Sequence, residues 1–258
     1  AVELCLRSGA KISTQQHDLS TPVHLACSQG TLKIVELMFQ MQPEEKEVSL
    51  KSCDLQRMTP LHCAAVFDHF ALVDYLVSQG ANLNTLNKDR RTPLHLAASR
   101  NAWKTMKTLI RLGADISLKD KDNRNMLHIM VTHDGELDKI LDHELSTLFI
   151  PILEDQDKNG NTSLHYAAKR GHIKSVEKLL TLGASILTKN NDGQNVFHLA
   201  CRYGRLNIIF QILKNEQTNS VVNEADGRGR TPLHIAANEG LFNYWFHHNN
   251  TNRVYTGK

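Results

Sequence analysis

The stretch Thr-Pro-Leu-His-Leu-Ala-Ala at residues 92–98 decides the fold of this 258-residue chain. The threonine hydroxyl can accept hydrogen bonds from the first free amides of a helix. Proline fits the first helical position because its missing N–H would be unpaired there anyway. The small residues at the end of the stretch suit a thin helix that packs close to its neighbours. The stretch therefore predicts a short helix that begins directly after Thr92.

Variants of this motif occur seven times along the chain. They start at Thr21, Thr59, Thr92, Asn125, Thr162, Asn195 and Thr231, so successive starts are 38, 33, 33, 37, 33 and 36 residues apart. A period near 33 residues with this motif is typical of ankyrin repeats, which stack into a solenoid. The sequence resembles that family, which implies an all-α ankyrin-repeat solenoid of helix-turn-helix repeats with hairpin-like finger loops.

Each repeat also carries a bend position and a second helix. Nine residues after the motif starts lie Gly30, Asp68, Asn101, Asp134, Gly171, Gly204 and Gly240. Glycine, and at some cost asparagine or aspartate, adopts the left-handed conformation, so this position is predicted to be the bend between two helices. We therefore expect Asp68→Gly to be neutral or mildly stabilising. The second helices end at Gly-Ala pairs such as Gly80-Ala81, and the polar segment before each motif is termed its finger.

The pattern divides the chain into three parts. Residues 1–20 match the end of a second helix and a finger, which indicates a partial N-terminal repeat. Residues 21–240 hold the array of seven motif-bearing units. Residues 241–258 form a divergent C-terminal tail, because His248 and Asn249 occupy positions that should be apolar. The chain starts inside a repeat and without methionine, which predicts a fragment of a longer protein.

Composition excludes several classes of protein. No apolar run approaches the roughly 20 residues of a membrane-spanning helix, and a net charge of +3 gives no strong attraction to nucleic acid. The five cysteines lack metal or disulfide spacing and are expected to be reduced packing residues, with Cys53, in a loop, the one candidate for reactivity. Phe70 and Trp103 fall at the second-helix position of Ile173 and are expected in the core.

The lack of complete catalytic and metal-binding motifs in the sequence favours a binding protein over an enzyme. His143-Glu144 begins like a zinc-protease helix but lacks the second histidine. Motif histidines occur once per repeat, and stacked helices lie about 8–10 Å apart, too far for a shared metal ion. These histidines are expected to bridge backbone groups of adjacent fingers. No metal and no cofactor is predicted.

One segment has part of a calcium-binding pattern. Residues 155–160 place oxygen-bearing side chains at the first, third and fifth positions of a calcium loop and glycine at the sixth, but Tyr166 stands where a bidentate glutamate belongs. A hairpin tip rich in aspartate, asparagine and glycine has the same sequence for conformational reasons. Both explanations remain open from the sequence.

Basic residues cluster on the fingers. Lys88, Arg90, Lys121 and Arg124 could meet an acidic protein partner or phosphates, and they are the candidate partner-binding residues. Interspersed aspartates also fit an ordinary solvated surface.

Departures from the repeat consensus indicate a narrower family. Three kinds of departure follow one another along the chain in a distinctive order. They are unusual bends at residues 65–69, 98–104 and 203–205, an unusual finger at 222–227, and lengthened connections after Met38, around Leu137 to Glu154 and after Leu213. This order resembles the ankyrin domain of TRPA-type transient receptor potential cation channels, over residues 1 to about 240.

The resemblance implies a domain on the cytosolic side of a calcium-permeable plasma-membrane channel, coupling chemical or thermal stimuli to gating. Its implied partners are proteins or other parts of the same channel, which is a homotetramer. The membrane is reached only through a pore domain outside this soluble fragment. The alternative is a soluble ankyrin scaffold for protein–protein interaction. A parent sequence with about six apolar spans would decide for the channel.

Overall fold

The computed structural model describes residues 1–133, 137–140, 145–214 and 218–240. Its contacts divide the chain into two compact units, Ala1–Gly135 with Lys139–Leu145, and Glu136–Asp138 with Ser146–Lys258. The tail at 241–258, the bend position Asp134 and the His143-Glu144 pair lie outside the described residues. No helix in the described ranges is both long enough and apolar enough to span a bilayer.

The first unit is built from two layers of short helices. Its helices are α1 (Val2–Arg7), α2 (Pro22–Ser28), α3 (Leu32–Met41), α4 (Lys46–Lys51), α5 (Pro60–Val66), α6 (Phe70–Ser78), α7 (Pro93–Ser99), α8 (Trp103–Arg111) and α9 (Met126–Thr132). The first helices of successive repeats, α2, α5, α7 and α9, pack on one another, and so do the second helices α1, α3, α6 and α8. The lengthened connection after Met38 contains a 3-10 helix at Pro43–Glu45 followed by α4.

The second unit repeats this arrangement. Its helices are α10 (Ser163–Arg170), α11 (Ile173–Thr181), α12 (Val196–Arg202), α13 (Leu206–Leu213), α14 (Thr218–Val221) and α15 (Pro232–Asn238). The first helices α10, α12 and α15 pack in sequence, and α11 packs on α13. The connection from Leu137 to Glu154 contains 3-10 helices at Leu137–Lys139 and Ser146–Ile152.

The motif residue caps its helix as the sequence predicts. The Thr92 hydroxyl accepts a hydrogen bond from the His95 amide at 3.2 Å, and the His95 ring accepts one from the Thr92 amide at the same distance. This is a capping box in which histidine takes the place usually filled by glutamate or glutamine. The same reciprocal arrangement starts α2, α10 and α15, and α12 with Asn195 in place of threonine.

The predicted bends adopt the left-handed conformation. Asp68 has a φ of 59° and Asn101 a φ of 55°, beside 69° for Gly30 and 84° for Gly171. Asp68 also accepts a hydrogen bond on its side-chain Oδ1 from the Thr105 amide at 2.9 Å. The carboxylate therefore caps the start of α8 in the following repeat.

Burial confirms most of the predicted core and corrects four positions, one of which is Trp103, expected in the core and half-buried. Leu94 and Leu109 are almost fully buried. Phe70, expected in the core, is 43% exposed, and the Lys104 ammonium lies 5.5 Å from its ring centre. Cys5 and Cys63, expected as packing residues, are exposed and half-buried respectively. Phe70 and Cys5 stand on the solvent side of the second-helix layer, which spacing alone did not separate from the inner side.

Cys53 does not have the environment of a reactive thiol. It lies in the loop after α4, is half-buried, and its Sγ contacts the Lys51 carbonyl at 3.6 Å. Partial burial raises the pKa of the Cys53 thiol and outweighs the nearby Arg57 charge. The thiolate that would react is therefore disfavoured. The same effect raises the pKa of Cys201 to about 11.

Candidate partner-binding surface

Six of the seven fingers, all but the one before Thr21, are closed by a side chain five residues before the motif. The Oδ1 atom of this residue accepts hydrogen bonds from the backbone amides two and four residues further on, at 2.7–3.1 Å. The residues are Asp54, Asn87, Asp120, Asp157, Asn190 and Asp226. Such Asx turns need an aspartate or asparagine for conformational reasons.

The calcium-like segment is one of these fingers. Asp157 accepts hydrogen bonds from the amides of Asn159 and Asn161 on Oδ1, and from the Tyr166 hydroxyl on Oδ2 at 2.6 Å. Tyr166 is the residue at the twelfth position of the calcium-like pattern, and its hydroxyl donates to the aspartate. The turn thus accounts for the acidic and glycine residues. Within the described ranges, no three His, Cys, Asp or Glu side chains come together as a metal site.

The sequence prediction that motif histidines bridge adjacent fingers is confirmed for His24, His62, His165 and His198. It is wrong for His95, whose Nε2 is buried without a hydrogen-bond partner among the described residues. The His62 ring accepts the Thr59 amide on Nδ1 at 3.1 Å, so Nε2 carries the proton of the neutral ring. That Nε2 donates to the Arg91 carbonyl in the next finger at 3.0 Å. Burial of the ring lowers the pKa of His62 to about 4.

Backbone hydrogen bonds also link neighbouring fingers within each unit. The Lys88 amide donates to the Gln56 carbonyl at 2.9 Å, and the Lys121 amide donates to the Asp89 carbonyl at 2.9 Å. In the second unit the Gly227 amide donates to the Asp192 carbonyl at 2.8 Å. The fingers of each unit therefore form a connected edge.

The four predicted site residues lie on this edge in the first unit, but only two are free of partners. Lys88 and Arg90 are exposed, and neither side chain has an ion-pair partner among the described residues. The Lys121 ammonium pairs with Asp89 at 2.6 Å. Arg124 pairs with Asp120 at 2.8 Å and with Asp122 at 3.1 Å.

Arg124 holds its own finger together. Its Nε and Nη2 both donate to Asp120 Oδ2, at 3.1 and 2.8 Å, and this carboxylate is buried. Burial acts to raise the pKa of the Asp120 carboxyl, but the side-chain and backbone hydrogen bonds from Arg124, together with its charge, outweigh it and lower the pKa. Arg124 is therefore a structural residue of the finger.

The inner surface of the second unit carries cations that the sequence analysis did not single out. Lys169 at the end of α10 and Arg202 at the end of α12 line a cavity of about 240 Å³ together with finger residues. The sequence signal that could have identified these two cations is their common position, seven residues after the motif start.

A family model described as Ankyrin repeats (3 copies) matches the chain at residues 1–87, 39–120, 69–142, 94–190 and 184–246. The chain belongs to the ankyrin-repeat family. The ankyrin repeat domain of Bcl-3, a member of the IkappaB protein family, has the same fold, with a TM-score of 0.71 and 22% identity. That likeness covers 85% of this chain and 95% of the Bcl-3 chain. These comparisons confirm the ankyrin solenoid fold class.

Two curated relatives confirm the narrower resemblance. The chain is 52% identical over 244 residues to the Drosophila melanogaster transient receptor potential cation channel subfamily A member 1, covering 93% of this chain. It is 35% identical over 280 residues to the human protein of the same name, again over 93% of this chain. The chain spans 20% and 25% of these relatives' lengths, so this ankyrin chain is similar to one part of each channel.

Proposed function

We propose that this chain is the ankyrin region of a TRPA-type cation channel and that it couples chemical or thermal stimuli, and partner binding, to gating. The observation that supports the proposal is the 52% identity to the Drosophila channel over 93% of the chain. The parent is a calcium-permeable homotetramer, and this array lies on the cytosolic side of the plasma membrane. Its role is coupling and binding, with no catalytic step.

The physical basis of coupling is contact between successive repeats. Leu96 in α7 is 8% exposed, and α7 packs against both α5 and α9. The His62 bond to the Arg91 carbonyl adds a polar link between the same repeats. Each repeat of a solenoid rests on its neighbours, so a change at one interface passes to the next. A loosened interface would therefore change a gate connected to the array.

Patch-clamp recording of the full-length parent tests this proposal. Leu96→Ala should shift the stimulus threshold and leave ion selectivity unchanged, because the pore lies outside the array. Leu4→Ala removes the same atoms from a side chain that is 69% exposed and should leave the threshold unchanged at matched surface expression. Absence of current from the wild-type parent would remove the channel proposal.

The finger edge of the first unit is proposed as a contact for an acidic protein partner or for another part of the channel. Lys88 and Arg90 supply exposed charges without partners in the described chain. These free charges also favour the alternative function of a soluble scaffold. A gating threshold unaltered by Leu96→Ala, despite measurable destabilisation of the array, would favour that scaffold.

A further inference from the structure

The inner ends of the first helices differ in charge between the two units. The position seven residues after the motif start is uncharged in every repeat of the first unit, where it is Ser28, Val66, Ser99 and Thr132. In the second unit the same position holds Lys169, then Arg202, and then the uncharged Asn238. Two successive repeats therefore present cations at equivalent points.

These cations line two adjoining cavities. The first, of about 240 Å³, lies between Tyr166, Lys169 and Tyr203 on the helices and amide side chains such as Asn159 and Asn190 on the fingers. The second, of about 460 Å³, lies beside Arg228. Asp192, Gln194 and Arg202 line both cavities, so Arg202 stands where they meet. The two form one groove along the inner side of this unit.

The groove has an excess of positive charge. Arg202 is half-buried, and its side chain has no hydrogen-bond or ion-pair partner within the described ranges. Arg228 is exposed and likewise unpaired there, and the Lys169 ammonium lies 5.4 Å from the Tyr203 ring centre without a carboxylate partner. Arg230 is already paired with Asp226 at 2.7 Å. Asp192 is the one acidic residue among the described lining residues of the two cavities.

We propose that this groove binds an extended, acidic peptide segment of a partner protein, with a carboxylate of that segment held by Arg202. An arginine fork can bind a carboxylate with two parallel hydrogen bonds. Lys169 and Arg228, on either side of Arg202, attract further acidic residues of the same segment. The site is separate from the finger edge of the first unit and does not depend on the parent being a channel.

The charged, polar lining favours an extended peptide as the occupant. Pockets for small molecules are mostly apolar, whereas Lys169, Arg202 and Arg228 come from successive repeats, so an occupant that meets all three must be extended. The carboxamides of Asn190 and Gln194 are already hydrogen-bonded within the protein. The exposed carboxamide of Asn159 can donate to or accept from a peptide backbone. Asp192 can accept from a peptide N–H.

Fluorescence anisotropy with the full 258-residue chain tests the proposal. The probe is a fluorescein-labelled peptide of about ten residues that alternates glutamate and serine, long enough to cross neighbouring repeats. Arg202→Gln should weaken its binding by about tenfold or more, as expected for loss of a charged hydrogen bond. Arg202→Lys should fall between wild type and Arg202→Gln, because it keeps the charge without the fork.

A matched control separates the groove from general charge attraction. Arg111→Gln makes the same charge change at an exposed position on α8 in the first unit and should leave binding unchanged. Circular dichroism should show the same helix content and melting midpoint in all three variants. An equal loss with Arg111→Gln, or equal binding of a lysine–serine peptide, would overturn the proposal. So would a lack of binding to wild type, or full displacement by millimolar inorganic phosphate, which would indicate a small-anion site.

Discussion

Asp68 shows what a single residue contributes at a bend and why its role was only half predictable. Its place in the repeat predicted the left-handed backbone, and the φ of 59° agrees. The hydrogen bond from the Thr105 amide was not predictable, because it depends on where α8 of the next repeat starts. Relief of left-handed strain is worth about 1–2 kcal/mol, and the lost hydrogen bond costs about 0.5–1.5 kcal/mol.

The two effects oppose each other in Asp68→Gly. In Asp68→Ala the left-handed strain remains and only the hydrogen bond is lost. We expect the free energy of unfolding of the glycine variant to lie within about 1 kcal/mol of the wild-type value. The free energy of unfolding of the alanine variant should be about 1 kcal/mol lower than that of wild type. Chemical denaturation of both variants measures this. An alanine variant as stable as wild type would show that the Thr105 contact contributes nothing.

His62 makes the stability of the first unit depend on pH. Burial lowers the pKa of the folded ring to about 4 from an ordinary value of 6.5, so between these values the unfolded chain takes up a proton that the folded chain does not. The free energy of unfolding therefore falls as pH falls from 7 to 4.5, by roughly 2 kcal/mol from this residue.

Replacing the ring should remove that part of the pH dependence. Denaturant titrations at pH 7 and pH 4.5 are expected to show a smaller difference for His62→Gln than for wild type, whatever its absolute stability. His17→Gln changes an exposed histidine of the first finger and should keep the wild-type difference. An undiminished difference in His62→Gln would mean that the acid sensitivity arises from other groups.

At the scale of elements, the finger is the unit whose chemistry the sequence left open. An aspartate followed by glycine or asparagine predicts a tight turn and equally suggests an ion site. The structure assigns the Asp157 oxygens to two backbone amides and to the Tyr166 hydroxyl. The charges on the fingers were predictable from the sequence, but their ion-pair partners were not. Lys121 pairs with Asp89 of the preceding finger, whereas Arg124 pairs with Asp120 of its own finger.

Asp157→Ala should cost about 1–3 kcal/mol of unfolding free energy, since three part-buried donors lose their common acceptor. Asp157→Asn keeps an acceptor oxygen for the two amides and should cost less. Calcium should leave the melting midpoint of each protein unchanged, whereas a specific ion at 100 times its dissociation constant would add about 2.7 kcal/mol. A calcium-dependent rise in wild type that is lost in Asp157→Asn would establish a site in this finger.

At the scale of the whole molecule, the repeat period was sufficient to predict the helix order, the bends and the core leucines. It was insufficient for the connections, such as α4, where the pattern is interrupted. It also missed the exposure of Phe70, because an array exposes one side of its second-helix layer. Stability in such an array is a sum of repeat and nearest-neighbour terms.

Leu109→Ala should therefore have a local effect. Leu109 in α8 is fully buried, and its truncation should cost about 2–5 kcal/mol through lost contacts and a cavity. Hydrogen exchange measured by mass spectrometry is expected to show faster exchange in α6, α7 and α8, with α12 and α13 unchanged. Equal loss of protection throughout the chain would show that the repeats unfold as one cooperative body.

The bends also limit how freely such repeats can be recombined. A Cβ on Gly30 would lie 2.5 Å from the His69 ring of the next repeat, and one on Gly171 would lie 3.0 Å from the Arg205 side chain. Where Asp68 occupies the bend, the corresponding residue of the next repeat is Ala102, whose side chain is a single methyl group. The side chain of a bend residue and that of the residue after the next bend thus share one limited space, so the two must be chosen together. Shuffled or duplicated repeats would have to carry both halves of each pair, so the smallest exchangeable module of this array straddles two repeats.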